Sequence, residues 1–324
     1  MSGPLVIGHR GASGHRPEHT AAAYRLAWRS GADSVEPDVV ATRDGVLVCR
    51  HDLELSRTTD VADHPELAHL RRRHVVDGQV EEGWFVHDLD LAQLRTLRAR
   101  ERWPRRRRRS AAFDDRLPVL TLAELFVLRA QESARAGRAL GLHVEVKHVA
   151  HHDRLGIPVL EPLVDLLRAH RLTTPLAPVT VMAFEGHALR RLRREVDVDL
   201  VQLVDKDDAR SLRPRRLHRA GEYATGVGLH KELALPLDAE GRTTGPGTAV
   251  GQVQARGLDV LVWTLRDENH SLPLDLRVPG PGRRHGRAAE EVEALLALGV
   301  DGLLCDHPGT ALDVLSRRTT GIAV

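Results

Sequence analysis

Short apolar runs alternate with helical patterns along most of this 324-residue chain, and this alternation constrains its fold more than any other feature. The strand candidates lie at 4–9, 33–40, 46–50, 142–147, 178–184, 199–204, 225–229, 259–265 and 300–305. The helical patterns occupy 18–30, 87–98, 121–136, 159–170, 185–195, 247–256 and 287–298. Strands that alternate with helices predict a parallel sheet in an α/β fold.

The number of strand candidates favours a closed sheet over an open one. Because the count is near eight and ionisable residues end several strands, we predict a (β/α)8 TIM barrel. Nine candidates exceed the eight positions of such a barrel, so one strand should be peripheral, and we assign 225–229 to that place.

One segment, 60–117, interrupts the alternation. It is too long for an ordinary barrel loop. We therefore predict a single barrel domain over residues 1–324 that carries a small insertion subdomain, 60–117, near the rim of its active site. The insertion holds the basic run Arg105–Arg109, which we expect to be a solvated loop, with binding of anionic ligands or surfaces as the alternative.

Ionisable side chains stand at the ends of three early apolar runs. His9 and Arg10 end the first run, and His51 follows the third. Glu36 and Asp38 are two residues apart in the second run, which places both carboxylates on one face of a strand. Barrel enzymes build their active sites from polar groups at strand ends, so these five residues are candidates for chemistry.

A tight turn between the second and third runs predicts how these groups meet. If Asp44 and Gly45 form a two-residue hairpin loop, His51 faces Asp38 across the hairpin. A loop one residue longer would shift the register and turn His51 to the other face.

A third carboxylate, Glu145, lies in a later buried run and has Lys147 on the same face. Carboxylates within buried strands are costly unless they are paired or bind a metal ion. Glu36, Asp38 and Glu145 are therefore candidate ligands, and an all-oxygen set suits one divalent cation, Ca²⁺ or Mg²⁺, rather than zinc. A structural cluster of salt bridges is the alternative.

Motifs in a fixed order carry a family resemblance. They are HRG at 9–11, PEHT at 17–20, GADSVEPDV at 31–39, TRDG at 42–45, HD at 51–52, SRTT at 56–59, GLHVEVKH at 141–148, VWTL at 262–265 and GVDGLLCDHPG at 299–309. From Val6 to about Asp313 the chain resembles the glycerophosphodiester phosphodiesterases, in particular the longer bacterial type with an insertion after the second histidine. Two places depart from the family pattern: His19 stands where Asn is more usual, and 182–184 replace a Gln-Ser-Phe-like strand end.

The resemblance implies roles for the candidate residues. His9 and His51 would be the general acid and base, which suits imidazoles that titrate near neutral pH. The three carboxylates would hold the cation, with Ca²⁺ favoured in the longer bacterial type. Arg10 and Lys147 could bind phosphate oxygens. Trp263 could pack under the substrate glycerol or be a plain core residue.

The activity that the resemblance implies is hydrolysis of glycerophosphodiesters. Glycerophosphocholine and glycerophosphoethanolamine would be split into an alcohol and sn-glycerol 3-phosphate. Two routes stay open: water attacks phosphorus directly, or the neighbouring glycerol hydroxyl attacks first and gives a cyclic phosphate. An analogue without that hydroxyl would separate the two routes.

Two other functions are compatible with the chain. A lysophospholipase-D-like activity on the same barrel would need an aromatic-lined entry for an acyl chain, and an aromatic content of 3% argues against it. A catalytically silent module that binds glycerophosphodiesters or polyanions would not need the full set of histidines and carboxylates.

Composition argues against a nucleic-acid partner, and the resemblance implies a small-molecule glycerophosphodiester substrate. A net charge of +2 is far from the basic profile of a nucleic-acid-binding protein. The sequence holds no apolar stretch long enough for a transmembrane helix, and no signal peptide is visible, so we expect a cytoplasmic protein. The two cysteines are expected to be buried and unpaired, and the oligomeric state is left open.

Overall fold

The computed structural model describes residues 3–76 and 78–320. Its strands are β1 Leu5–His9, β2 Ser34–Glu36, β3 Asp38–Ala41, β4 Leu47–Cys49, β5 Arg72–Val76, β6 Gln79–Gly83, β7 Arg98–Ala99, β8 Leu117–Pro118, β9 Gly141–Val146, β10 Val179–Ala183, β11 Asp199–Val204, β12 Gly226–His230, β13 Asp259–Leu265 and β14 Gly302–Cys305. Its α-helices are α1 Ala21–Arg29, α2 Leu91–Leu94, α3 Arg108–Ala111, α4 Leu122–Ala136, α5 Val149–Leu155, α6 Leu160–Ala169, α7 Gly186–Leu192, α8 Pro214–Ala220, α9 Lys231–Ala234, α10 Ala249–Gln254, α11 Ala288–Ala297 and α12 Pro308–Thr320.

The main sheet closes into an eight-position parallel barrel, as predicted. Its order is β1, β2 with β3, β9, β10, β11, β12, β13 and β14, and β14 pairs with β1 to complete the circle. The strands β2 and β3 share one position and are separated by Pro37 alone. Helices surround this barrel, and the apolar cores between helices and strands are built mainly from valine, leucine and alanine.

The assignment of 225–229 as the peripheral strand is wrong. The strand β12 pairs with β11 and β13 inside the barrel, whereas β4 is the additional strand and runs antiparallel to β3. Glycine has a low propensity for β-strands, but the glycines of β12 are needed for packing. A Cβ atom at Gly228 would lie 2.5 Å from Leu203 Cδ2 and 3.6 Å from Trp263 Cδ1.

The predicted register of the β3–β4 hairpin is also wrong, by one residue. Val40 pairs with Val48, and the Thr42 N–H donates to Val46 O at 3.0 Å, so three residues form the turn. The last of these, Gly45, has a φ of +79°, which glycine adopts without strain. His51 does not face Asp38 in the ladder, but it lies beyond the end of β4 and still reaches the mouth of the barrel.

Several helices follow the predicted patterns closely. Thr121 caps α4 through a capping box with Glu124, and α4 ends at Gly137 in the left-handed conformation. The pattern at 87–98 instead folds into a 3-10 turn, Val86–Asp88, followed by the short α2. The helices α3, α5, α8, α9 and α12 have no counterpart in the predicted set.

The segment 60–117 forms a compact layer on the outside of β3 and β4. It contains three 3-10 turns, the β5–β6 hairpin, α2, the β7–β8 pair and α3. Its apolar residues, including Leu67, Phe85 and Leu94, form a shared core with Val40 and Val48 of the hairpin. This shared core fixes the insertion against the side of the barrel that carries Asp38.

Among the residues that the structure describes, no helix is both long and apolar enough to span a membrane.

Candidate active site

Six of the eight predicted site residues line one cleft at the carboxyl ends of the barrel strands, and the other two, Glu36 and Asp38, lie beside Glu145. The cleft has a volume of about 290 Å³. Its walls include His9, Arg10, His51, Glu145, Lys147, Met182, Phe184, Leu203, Trp263, Thr264 and Arg266. A larger groove of about 450 Å³ lies on the outside of the barrel between α6 and α7, away from the strand ends. Chemistry therefore belongs to the smaller cleft.

Strand pairing places the three carboxylates beside one another. Glu36 pairs with His9 across β2 and β1, and Asp38 pairs with Glu145 across β3 and β9. One oxygen from each of Glu36, Asp38 and Glu145 lies within 4.8 Å of the others. Glu36 and Asp38 are each 1% exposed.

The electrostatics of these carboxylates suit a cation site. Burial and the neighbouring Asp38 and Glu145 raise the pKa of Glu36 well above its usual range. Burial raises the pKa of Glu145 to about 7. At Asp38, Lys147 together with His51, Arg10 and His19 outweighs the effect of burial and holds the pKa well below the usual range. Glu36 Oε1 has no hydrogen-bond partner among the described residues. A divalent cation would satisfy that oxygen and offset the mutual repulsion, so the three residues fit one.

Each candidate catalytic histidine is held by an aspartate through Nδ1. The distance from His9 Nδ1 to Asp306 Oδ1 is 2.6 Å, and that from His51 Nδ1 to Asp52 Oδ1 is 2.5 Å. An ionised carboxylate only accepts, so both rings carry the proton on Nδ1 and keep Nε2 for proton transfer. Burial, followed by the charge of Arg10, lowers the pKa of His9 to about 4 and that of His51 to about 3. Both imidazoles are therefore neutral at pH 7.

The two candidate phosphate-binding cations flank the carboxylates. The side-chain Nε of Arg10 lies 3.1 Å from Asp38 Oδ2, and the backbone N–H of Arg10 donates to Glu36 Oε2 at 2.9 Å. Lys147 Nζ donates to Glu145 Oε1 at 3.0 Å and lies 3.5 Å from Asp38 Oδ1. Both positive charges thus lie beside the place that a phosphate bound at the carboxylate cluster would occupy.

Trp263 forms the opposite wall of the cleft. Its Nε1 donates to Gly228 O at 3.0 Å, which fixes the indole ring. Phe184 and His230 contact it edge to face, with ring centroids 5.6 and 5.0 Å away. Phe184 is 43% exposed and stands at the rim, so the departure at 182–184 from the family pattern falls in the cleft itself.

His19, the other departure from the family pattern, lies beneath the carboxylates. Its Nε2 is 3.0 Å from Asp38 Oδ2, and its Nδ1 is 2.8 Å from the Tyr24 hydroxyl. The side chain is buried and orients Asp38 from below.

Sequence reasoning gave no role to Asp306, Arg102 or Arg107. Asp306 had a usable signal, because Gly8 pairs with Cys305 in the closed barrel and the next residues along are His9 and Asp306. The two arginines had no such signal, because the sequence around them does not indicate that a residue of the insertion reaches the end of a barrel strand.

The expectation of a solvated loop over Arg105–Arg109 is wrong at one position. Arg107 is 6% exposed and donates to Glu268 Oε1 at 2.6 Å and to Asp306 Oδ2 at 2.5 Å. The other four arginines of the run are exposed. Two buried carboxylates that follow neighbouring strands, Glu268 after β13 and Asp306 after β14, hold this one arginine inside the protein.

Comparison with known proteins identifies the class. The sequence profile of the glycerophosphoryl diester phosphodiesterase family matches residues 9–310, so the chain belongs to this family and is an enzyme of the phosphodiesterase class. It is 29% identical to the glycerophosphodiester phosphodiesterase GDPD6 of Arabidopsis thaliana over 95% of this chain and 85% of that protein.

Solved structures share the fold. One from Silicibacter pomeroyi has a TM-score of 0.72 at 22% identity, over 98% of this chain and 95% of that one. A phosphodiesterase from Oleispira antarctica, solved in complex with the product sn-glycerol-3-phosphate, has a TM-score of 0.67 at 22% identity, over 97% of each chain.

Proposed function

We propose that this enzyme hydrolyses glycerophosphodiesters, such as glycerophosphocholine and glycerophosphoethanolamine, to an alcohol and sn-glycerol 3-phosphate. The observation that carries the proposal is the single cleft that joins two aspartate-held histidines to a buried cluster of three carboxylates. The Oleispira antarctica relative was solved with the corresponding product. Cytoplasmic residence stays a prediction from the sequence.

Glu36, Asp38 and Glu145 would hold one divalent cation, with Ca²⁺ favoured and Mg²⁺ as the alternative. A bound cation of this kind neutralises phosphate charge as negative charge develops at phosphorus. Arg10 and Lys147 add fixed positive charge beside the same oxygens. Trp263 would pack against the glycerol carbons.

His9 and His51 divide the proton transfers between them. One neutral Nε2 accepts a proton from the attacking hydroxyl, which belongs either to water or to the neighbouring carbon of the glycerol. The negative phosphate raises the pKa of the other imidazole, which then takes up a proton from solvent and donates it to the departing alkoxide oxygen. On the route through the glycerol hydroxyl, water then opens the cyclic phosphate and gives glycerol 3-phosphate. The aspartates stabilise each ring as it becomes positive.

The test is release of glycerol 3-phosphate from glycerophosphocholine by purified protein, stripped with chelator and then supplied with Ca²⁺ or Mg²⁺. We expect release that stops with chelator and returns with one of the two ions. Release of choline from lysophosphatidylcholine but not from glycerophosphocholine would favour the lysophospholipase-D-like activity. Tight binding of glycerophosphodiesters without turnover under either ion would favour the binding module.

A further inference from the structure

The insertion reaches the candidate catalytic residues through two buried arginines. Arg102 follows β7, and its Nη1 donates to Asp52 Oδ2 at 2.7 Å. The other oxygen of the same carboxylate receives His51 Nδ1 at 2.5 Å. The three side chains thus form a continuous series of hydrogen bonds from the insertion to the cleft.

The second arginine repeats this arrangement at the other histidine. Arg107 Nη2 donates to Asp306 Oδ2 at 2.5 Å, and Asp306 Oδ1 receives His9 Nδ1 at 2.6 Å. Arg266 also donates to Asp306 Oδ2, at 2.9 Å. Both histidines therefore have an aspartate behind them and an arginine of the insertion behind the aspartate.

Each guanidinium is fixed by further contacts. Arg102 donates twice to Glu18, at 2.8 and 2.7 Å, so Glu18 is its buried ion-pair partner. Arg107 donates to Glu268 Oε1 and to Ser13 O, and the Trp103 ring lies 4.7 Å from its guanidinium carbon. Their side chains are 7% and 4% exposed. Such buried charges are costly unless every donor is directed at a partner.

We propose that Arg102 and Arg107 are positioning residues for catalysis, so that the insertion supplies a required part of the active site. Each arginine holds its aspartate ionised and turned so that one oxygen accepts from the histidine Nδ1–H. Without the arginine, the carboxylate can rotate, and the histidine can change tautomer or tilt. The inference rests on the proposed function, since it assigns His9 and His51 to proton transfer.

The kinetic test compares Arg102→Gln and Arg107→Gln with Arg105→Gln and Arg109→Gln, which remove exposed arginines from the same segment. Loss of a side chain that orients a catalytic group typically costs about 10–100-fold. We expect kcat to fall by about that factor in the first pair, with KM within about threefold of the parent value. The control pair should retain parental kinetics.

Chemical rescue separates positioning from loss of fold. In Arg102→Gly and Arg107→Gly, added guanidinium at millimolar concentration should recover part of kcat, whereas sodium at the same ionic strength should not. Recovery by both salts alike, or kcat unchanged in the glutamine variants, would overturn the proposal.

A spectroscopic test is independent of turnover. Nitrogen-15 NMR should report the Nδ1–H tautomer for both histidines in the parent protein, with assignments from His9→Gln and His51→Gln. Of these two histidines, Arg107→Gln should alter the signals of His9 only, and Arg102→Gln should alter those of His51 only. Such changes in a protein without phosphodiesterase activity would refute the proposed function and leave the positioning intact. Parental histidine signals in both variants would refute the positioning.

A separate cluster of histidines lies between the insertion and α5. One ligand atom from each of His74, His87 and Asp88 lies within 4.8 Å of the others, and His74 Nε2 is 2.8 Å from Asp88 Oδ2. The His87 ring contacts those of His151 and His152, with centroids 5.0 and 6.1 Å away. His87 is 4% exposed, yet neither of its ring nitrogens has a hydrogen-bond partner within residues 3–76 and 78–320.

We infer that His74, His87 and Asp88 form a second metal site, of a different class from the carboxylate cluster. A buried imidazole without partners is costly, and a bound ion would provide the missing interaction. Two imidazoles and one carboxylate suit Zn²⁺ or Co²⁺ rather than Ca²⁺. An ion here would join the β5–β6 hairpin to the 3-10 turn at Val86–Asp88.

Cobalt absorption tests this site in chelator-stripped protein, with saturating Ca²⁺ present to occupy the carboxylate cluster. We expect one equivalent of Co²⁺ with visible d–d bands in the parent and in the exposed control His69→Asn. The bands should be lost in His87→Asn and in His74→Gln, so that one misfolded variant does not decide the outcome. Absence of bands in the parent at millimolar Co²⁺, or parental bands in both variants, would refute the site.

Discussion

At the scale of single residues, the site depends on which ring nitrogen of each histidine stays available. His9 and His51 come from different strands, yet both donate through Nδ1 to an aspartate. Under the proposed function, the same tautomer on both sides of the cleft would let either ring begin as the base and the other as the acid, and the charge of the bound phosphate would decide between them.

Removal of either imidazole should therefore abolish most turnover. We expect His9→Ala and His51→Ala to lower kcat by about 10²–10⁴-fold, the usual contribution of a general acid or base. Measured under the same conditions, His218→Ala, an exposed histidine on α8, should retain full activity. Near-normal kcat in either cleft variant would contradict the assignment of that histidine.

A second residue-scale prediction concerns Glu101 of the insertion, which is 4% exposed. Burial raises its pKa to about 7 from the ordinary 4.5. The folded protein therefore binds this proton more tightly than the unfolded chain. The resulting stabilisation is complete below pH 4.5 and is lost as pH rises through 7.

Replacement of this carboxyl by a neutral amide should thus stabilise the protein only at higher pH. We expect Glu101→Gln to raise the free energy of unfolding by roughly 1–3 kcal/mol at pH 8. At pH 4.5 the variant and the parent should unfold at similar denaturant concentrations. An equal difference at both pH values would show that packing, not charge, dominates at this position.

At the scale of elements, glycines decide how closely helices and strands approach. A Cβ atom at Gly8 in β1 would lie 2.7 Å from Ala27 Cβ of α1 and 3.1 Å from Gly11 O. At Gly251 in α10, a Cβ atom would meet no described atom within 4 Å. The same substitution should therefore have opposite effects at the two positions.

We expect Gly8→Ala to destabilise the protein by about 1–3 kcal/mol through overpacking. Gly251→Ala should stabilise it by about 0.5–1 kcal/mol, because alanine loses less backbone freedom than glycine in a helix. Denaturant unfolding of both variants measures the difference. Destabilisation of similar size in both would refute the packing argument.

Which elements could be predicted from the sequence follows from what each element depends on. The barrel strands and α4 were predicted because apolar periodicity and capping are local signals. The places of β4 and β12 were exchanged because a run of residues does not show its own direction or its neighbours. The hairpin register failed because Asp44-Gly45 is compatible with turns of two or three residues.

The candidate site likewise contains residues that local patterns predict and contacts that they do not. Its strand-end residues were predicted, since a barrel brings consecutive strand ends together whatever the loops do. The contacts of Arg102 and Arg107 with Asp52 and Asp306 depend on how a whole insertion docks on the barrel. No local pattern in the sequence encodes such docking. Arg107 could not be distinguished from the exposed arginines on either side of it in the run Arg105–Arg109.

At the scale of the whole molecule, the proposed cation site would link cation binding to folding. Burial, followed by repulsion among the three acids, raises the pKa of Glu36 and of Glu145 in the protein without a cation. A cation that binds only the folded state adds stability that grows with its concentration, about 2.7 kcal/mol at 100 times its Kd. Cation dependence should therefore appear in unfolding experiments without any substrate.

Thermal unfolding of chelator-stripped protein at pH 8 measures this linkage directly. We expect added Ca²⁺ to raise the Tm of the parent by several degrees and that of the exposed control Glu240→Gln equally. Stripped Glu36→Gln should unfold at a higher temperature than the stripped parent, because the amide removes the cost of burying this carboxyl either ionised or protonated at pH 8, yet it should respond much less to Ca²⁺. An equal response to Ca²⁺ in Glu36→Gln and the parent would place the stabilising ion elsewhere. A general salt effect cannot produce the expected result, because Glu36→Gln must show both a higher Tm without Ca²⁺ and a smaller increase in Tm with Ca²⁺.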